Sequence, residues 1–243
     1  MKTKLLIISI LVFTASQAWT QQHSKPVLPL LGENAPSFSA NSTKGMINFP
    51  NDYGDNWKVI FSHPADFTPV CSSEILELAA LQDDWKKMKV DIIVVSTDNI
   101  NTHTQWVKSI ESVTYKNRQP EKINFPLVDD ESCTVAKKYG MIQPGNNTTK
   151  AVRGVFIIDP QNKIRAMFYY PMNIGRNMDE IKRTLLALQT ADKDNVLIPA
   201  DWQAGDDVLV PYLKHTSDQV DLAKAEDPNL YMVTWYMWFR KTH

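Results

Sequence analysis

The chain carries only two cysteines, Cys71 and Cys133, and the first stands where a thiol can react. Pro69 lies just upstream, as at a helix start. From Cys71 onward, Glu74, Ile75, Leu78, Leu81, Trp85 and Met88 fall on one arc at about 100° per residue. The thiol is therefore expected on the inward face of a helix, in its first turn. Free backbone N–H groups and the positive end of the dipole favour a thiolate there. A buried free cysteine can also be a small inert hydrophobe, and position alone does not separate the two readings. Glu74 adds a second constraint. A carboxylate on an apolar face is costly unless paired, and arginine is its natural partner. Arg153 heads an apolar β-type run, Val155 to Ile158. Its guanidinium, held by Glu74, would face the sulfur, keep it ionised and stabilise charge on the group it attacks.

Other chemistries find little support. Dithiol exchange of the C-x-x-C kind requires a cysteine three residues before Cys71, where Thr68 stands. The five histidines include no pair at helical ligand spacing, so neither a metal nor another cofactor is expected. A net charge of −1 without a long basic run gives no sign of nucleic acid.

The elements that must position these residues follow from periodicity. Lys58-Val-Ile-Phe-Ser62 reads as a short strand entering a Pro-rich turn, His63 to Pro69. The helix from Cys71 to Met88 follows, then Val90 to Ser96, the nearly all-apolar strand of a sheet covered on both faces. Strand, helix and strand make a βαβ unit. Thr102 to Ser112 reads as a helix, and Ser132 to Tyr139 as a short one closed by Gly140. Val155 to Ile158 and Ile164 to Tyr170 flank Asp159-Pro-Gln-Asn-Lys163 as a hairpin, and Met178 to Leu188 is a further amphipathic helix. This order predicts an α/β fold: a thioredoxin-like central sheet flanked by helices over residues 28–190.

From about Asn195 the texture changes, and residues 191–243 are expected to form a small α+β extension. It ends on one aromatic strand, Tyr231 to Phe239, too apolar to sit exposed, which predicts a homodimer or a higher assembly of dimers. At the other end, Lys2 and Lys4 precede an uncharged run, Leu5 to Ala15, and small residues at Ser16-Gln17-Ala18. This reads as a signal peptide over residues 1–18, and so as export, because the run is shorter than the roughly 20 residues of a membrane span.

Pro64-Ala-Asp-Phe-Thr68-Pro-Val-Cys71-Ser-Ser-Glu74 resembles the P-x-x-x-T-x-x-C-x-x-E signature of peroxiredoxins. Ala35-Pro36-Ser-Phe38 is similar to the family's opening segment, Thr102-His103-Thr-Gln-Trp106 to its S/T-H-x-x-W helix, and Val152-Arg153 to Asp159 to its arginine strand. Phe61-Ser-His63-Pro64, Tyr170-Pro171 with Gly175-Arg176-Asn177, and Pro199-Ala-Asp-Trp202 with Gly205-Asp206 resemble the one-cysteine subclass. The resemblance implies a peroxidase acting on hydrogen peroxide and organic hydroperoxides. Cys71 becomes a sulfenic acid, and an external thiol regenerates it. It also implies roles for neighbours. Thr68 bonds the thiolate and peroxide, Pro64 shields the site, Arg153 stabilises charge and Glu74 holds Arg153. His63 flanks the pocket, and Arg176 is a second arginine near it. A redox sensor or holdase chaperone using the same switch is the alternative. The tail holds no resolving cysteine, and Cys133 matches no resolving position. Gly54-Asp55-Asn56-Trp57 lacks the serine of the G-D-S-W segment linked to phospholipase activity in some members, so no lipase activity is assigned.

Overall fold

The computed structural model describes residues 28–143, 145, 149–211 and 227–242. The expected leader at 1–18 lies outside them. The core is a seven-stranded sheet in the order β2-β1-β5-β4-β3-β6-β7. Its strands are β1 (Phe38–Ser42), β2 (Gly45–Phe49), β3 (Trp57–His63), β4 (Val90–Ser96), β5 (Leu127–Asp129), β6 (Arg153–Ile158) and β7 (Ile164–Tyr170). The βαβ unit forms as expected: β3 and β4 run parallel, joined by α1 (Pro69–Lys87). The β6–β7 hairpin also forms, and β6 lies antiparallel against β3, bringing Arg153 beside the strand that leads to the thiol.

Period-two alternation sorts the sheet residues between two cores. Val59, Phe61, Ile92, Val94, Val155 and Ile157 face one side, packed against Ile75, Leu78 and Trp85 of α1, Trp106 of α2 (Ile100–Ile110) and Ile181 and Leu185 of α4 (Met178–Asp194). Ile60, Ile93, Val95, Phe156 and Ile158 face the other, against α3 (Thr134–Lys138) and the β1–β2 hairpin. Burying each such large side chain contributes about 1.5–3 kcal/mol, so the central strands hold the frame rigidly. Cys71 belongs to the first core and Cys133 to the second. The two thiols are on opposite faces of the sheet.

Several elements differ from expectation. α1 begins at Pro69, so Cys71 is its third residue. α2 begins at Ile100 because Asn99 caps it, its side chain accepting from the Thr102 N–H. α4 runs past its expected end at Leu188 to Asp194. The terminal aromatic segment is not one strand. It is a hairpin, β9 (Leu230–Thr234) and β10 (Met237–Arg240), pairing with β8 (Val208–Leu209) in a separate three-stranded sheet. The chain reverses at Trp235 and Tyr236, which are 69% and 59% exposed, while Trp238 is buried. The reversal places two adjacent rings at a tip, where neither strand face can cover them.

Candidate active site

Cys71 is completely buried (0% exposed) in the first turn of α1. Arg153 donates from Nη1 to its Sγ at 3.2 Å and from the same nitrogen to Glu74 Oε2 at 2.8 Å. The remaining face of this guanidinium is fixed by a backbone acceptor, the Met172 carbonyl, which receives Nε at 2.9 Å and Nη2 at 2.6 Å. Arg153 therefore reaches the sulfur in one orientation only.

Arg176 is the fuller partner of Glu74. Its backbone N–H and Nε donate to Glu74 Oε1 at 2.8 and 2.9 Å, and Nη2 donates to Oε2 at 2.7 Å. With Arg153, this fills the four acceptor positions of the carboxylate. Arg176 Nη1 donates to the carbonyls of Ser62 and Gly154, both at 2.8 Å, and the guanidinium lies 5.1 Å from the Phe61 ring centre. Burial alone would push the Glu74 carboxyl up, but the charge and hydrogen bonds of Arg176, then the charge of Arg153, outweigh it and hold the pKa below its ordinary value. Two guanidiniums and one carboxylate leave a single positive charge buried beside the sulfur. A thiolate at this position would be its counter-charge.

The strand bearing Arg153 is pinned at the adjoining residue. The Gly154 N–H donates to Ser62 Oγ at 2.8 Å, and that hydroxyl donates to the Val152 carbonyl at 2.5 Å. A side chain at Gly154 would meet Ser62 Oγ and Phe156 at 3.2 Å, so these neighbours would have to give by a few tenths of an ångström to admit one.

The turn between β3 and α1 brings in the remaining expected residues. Pro64 is buried. Thr68 is the N-cap residue of α1, but its hydroxyl donates to the Ala65 carbonyl at 2.8 Å, not to the thiol. The expected Thr68–thiolate bond is thus not formed, and the oxygen lone pairs are what the hydroxyl retains to offer a ligand. His63, also buried, meets Asp66 Oδ1 through Nε2 at 2.8 Å and lies tilted against the Trp106 ring, centroids 5.0 Å apart. Burial, the largest influence, holds its pKa below the ordinary value. Sequence reasoning missed Asp66 as a site residue, and took His103 and Trp106 only as part of a resemblance. A histidine three residues before an aspartate in a tight turn was the available signal.

A helix-borne thiol faced by an arginine, on a thioredoxin-like sheet, defines a thiol oxidoreductase that works without a second cysteine in the same turn. The comparisons with known proteins narrow that class. The AhpC/TSA family profile matches residues 31–167, and that of the C-terminal domain of 1-Cys peroxiredoxin matches residues 187–223. A peroxiredoxin of Methanosarcina mazei is 44% identical over 215 residues, covering 88% of this chain and 98% of that protein. Among solved structures, the yeast mitochondrial 1-Cys peroxiredoxin superposes with a TM-score of 0.77 at 37% identity, covering 88% of this chain and 100% of that one. The peroxiredoxin 6 of Arenicola marina, solved as a cysteine-to-serine mutant, gives 0.77 at 34% identity, with 88% and 98% covered. The chain belongs to the AhpC/TSA family, the peroxiredoxins, and is a thiol-dependent peroxidase.

Proposed function

We propose that Cys71 is the thiol that reduces the peroxide, an assignment carried by one observation: Arg153 Nη1 is shared between Cys71 Sγ and Glu74 Oε2. The thiolate attacks one peroxide oxygen, the O–O bond breaks, and the leaving oxygen departs as an alkoxide or hydroxide that takes up a proton. Sulfur ends as a sulfenic acid, on the reversible rung of thiol oxidation. Arg153 stabilises the negative charge as it passes from sulfur to the leaving oxygen. Glu74 and Arg176 hold Arg153, Pro64 excludes water, and Thr68 supplies a hydroxyl oxygen to the incoming peroxide. His63 flanks the oxidised sulfur.

External thiol returns the sulfenic acid to the thiol in two steps: one thiol displaces water to form a mixed disulfide with Cys71, and a second attacks that disulfide, freeing Cys71 and leaving as the reductant's own disulfide. The yeast relative, described as resolved via glutathione/thioredoxin systems, supports this. So does Cys133, which lies across the sheet from Cys71. Burial, then Asp130, pushes the Cys133 thiol above its ordinary pKa, making it a poor thiolate. After one equivalent of peroxide, dimedone should trap the sulfenic acid on Cys71 alone. Cys133→Ser should keep full turnover with a small thiol. A stoichiometric Cys71–Cys133 disulfide in mass spectra would overturn this assignment, and a single oxidation without turnover would favour a sensor.

The working unit is a homodimer or an assembly of dimers. Met232, Val233, Trp235 and Tyr236 are exposed on the C-terminal hairpin. In addition, β7 is an edge strand with Met167, Phe168, Tyr169 and Tyr170 only half covered. Both features favour association. Light scattering at micromolar concentration should give twice the chain mass or a multiple of it. A well-behaved monomer would reject this reading. The charged start, the uncharged run to Ala15 and the small residues to Ala18 support export after cleavage.

A further inference from the structure

We propose that Asp66, clamped between His63 and His103, is a positioning residue that holds the turn from Pro64 to Thr68 closed over the thiol. The inference rests on the assignment of Cys71 as the peroxide-reducing group. It starts from Phe67, which has φ +54°, a left-handed conformation that costs an L-residue about 1–2 kcal/mol. Such a conformation persists only where the surroundings enforce it. The Phe67 side chain contributes little, being 55% exposed. The Thr68 hydroxyl closes the turn on itself through the Ala65 carbonyl, and what ties the turn to the rest of the fold is the residue before Phe67.

Asp66 holds it on three sides. Its N–H donates to Asp98 Oδ2 at 2.6 Å, tying the turn to the segment just beyond β4. Oδ1 meets His63 Nε2 at the end of β3, and Oδ2 meets His103 Nδ1 on α2 at 2.6 Å. The other His103 nitrogen, Nε2, faces the Val128 carbonyl of β5 at 3.1 Å. Both His103 nitrogens thus face oxygen atoms, which fixes the ring between the turn and β5. His63 donates from Nε2. Burial works against the charged Asp66, but the hydrogen bonds from His103 and His63 prevail and hold its pKa below the ordinary value. One buried carboxylate thus links β3, α2 and, through His103, β5 to the turn that carries Pro64 and Thr68.

The test compares two reactions of the same thiol in the full chain. Peroxide oxidation needs the turn in its closed geometry, and a misplacement of about 1 Å costs on the order of 10²-fold. Alkylation by iodoacetamide needs an ionised sulfur and, because Cys71 is fully buried, an opening of the site, but not the closed geometry of the turn. Asp66→Asn should slow peroxide oxidation of Cys71 by about 10-fold or more and leave the alkylation rate at the wild-type level or above it. His103→Gln, which attacks the clamp from α2 and leaves the turn sequence intact, should do the same. A peroxide rate at the wild-type level in both folded variants overturns the proposal. So does an equal fall in both rates, or loss of folding in both variants, since either makes Asp66 merely structural. If the wild-type Cys71 itself fails to react with peroxide, the underlying assignment has failed instead.

Discussion

Cys71→Ser should reduce peroxide consumption to the buffer background. Serine is close to the cysteine in size, and the site around it should keep its shape, because Glu74, Arg153 and Arg176 bond one another independently of the sulfur. What changes is the charge. A hydroxyl stays un-ionised at neutral pH and is a poor nucleophile toward an O–O bond. The one positive charge left over by the two arginines and Glu74 then has no counter-charge. The variant should fold, by circular dichroism, and still be inactive. Turnover above about 1% of wild type would show that another group attacks the peroxide, a loss smaller than the removal of a sole nucleophile produces.

Arg153→Met should slow the reaction with peroxide by about 10²-fold or more, the scale seen when a preorganised charge stabiliser is removed. The structure indicates why this variant reports on chemistry more than on folding. Glu74 loses one bond, from Nη1, and keeps three from Arg176, so no buried carboxylate is stranded. The Met172 carbonyl does lose both of its donors, and the segment carrying it should loosen. Stopped-flow measurement of the oxidation rate checks the expectation. An unchanged rate would make Arg153 a brace between β6 and the segment carrying Met172, with no part in stabilising the reacting oxygen.

The parts of this molecule legible in its sequence are those with a local period or an unavoidable pairing. The apolar residues of α1 repeat every three or four positions, and β4 is an apolar run but for Asp91 and the terminal Ser96, so both could be read directly. Glu74 on an apolar face demanded a cation, and that demand led to Arg153. The β1–β2 hairpin was not legible, because Phe-Ser-Ala-Asn-Ser has the composition of a loop and becomes a strand only by pairing. β5, at three residues, is too short for any period. The reversal at Trp235 and Tyr236 has no glycine, proline or asparagine to announce it. The Met172 carbonyl was invisible for a different reason: every residue has one, and only tertiary structure decides which is aimed at a guanidinium. Asp66 and His103 are 37 residues apart, and neither predicts the other.

The partition of the two cysteines between opposite faces of the sheet has a consequence for electron flow. On the proposed assignment a peroxide delivers two oxidising equivalents to Cys71, and a protein with a second thiol nearby could store them internally as a bond between its own sulfurs. In this chain, strands β3, β4 and β6 stand between the donor and that reservoir and act as insulation. The equivalents must leave through the mouth by which they entered, to an external thiol reductant: a first thiol displaces water to form a mixed disulfide on the sulfur, and a second releases it as a disulfide. The rate of recovery is then set by the concentration of that reductant around the protein, and the fold confines the oxidised state to a single sulfur.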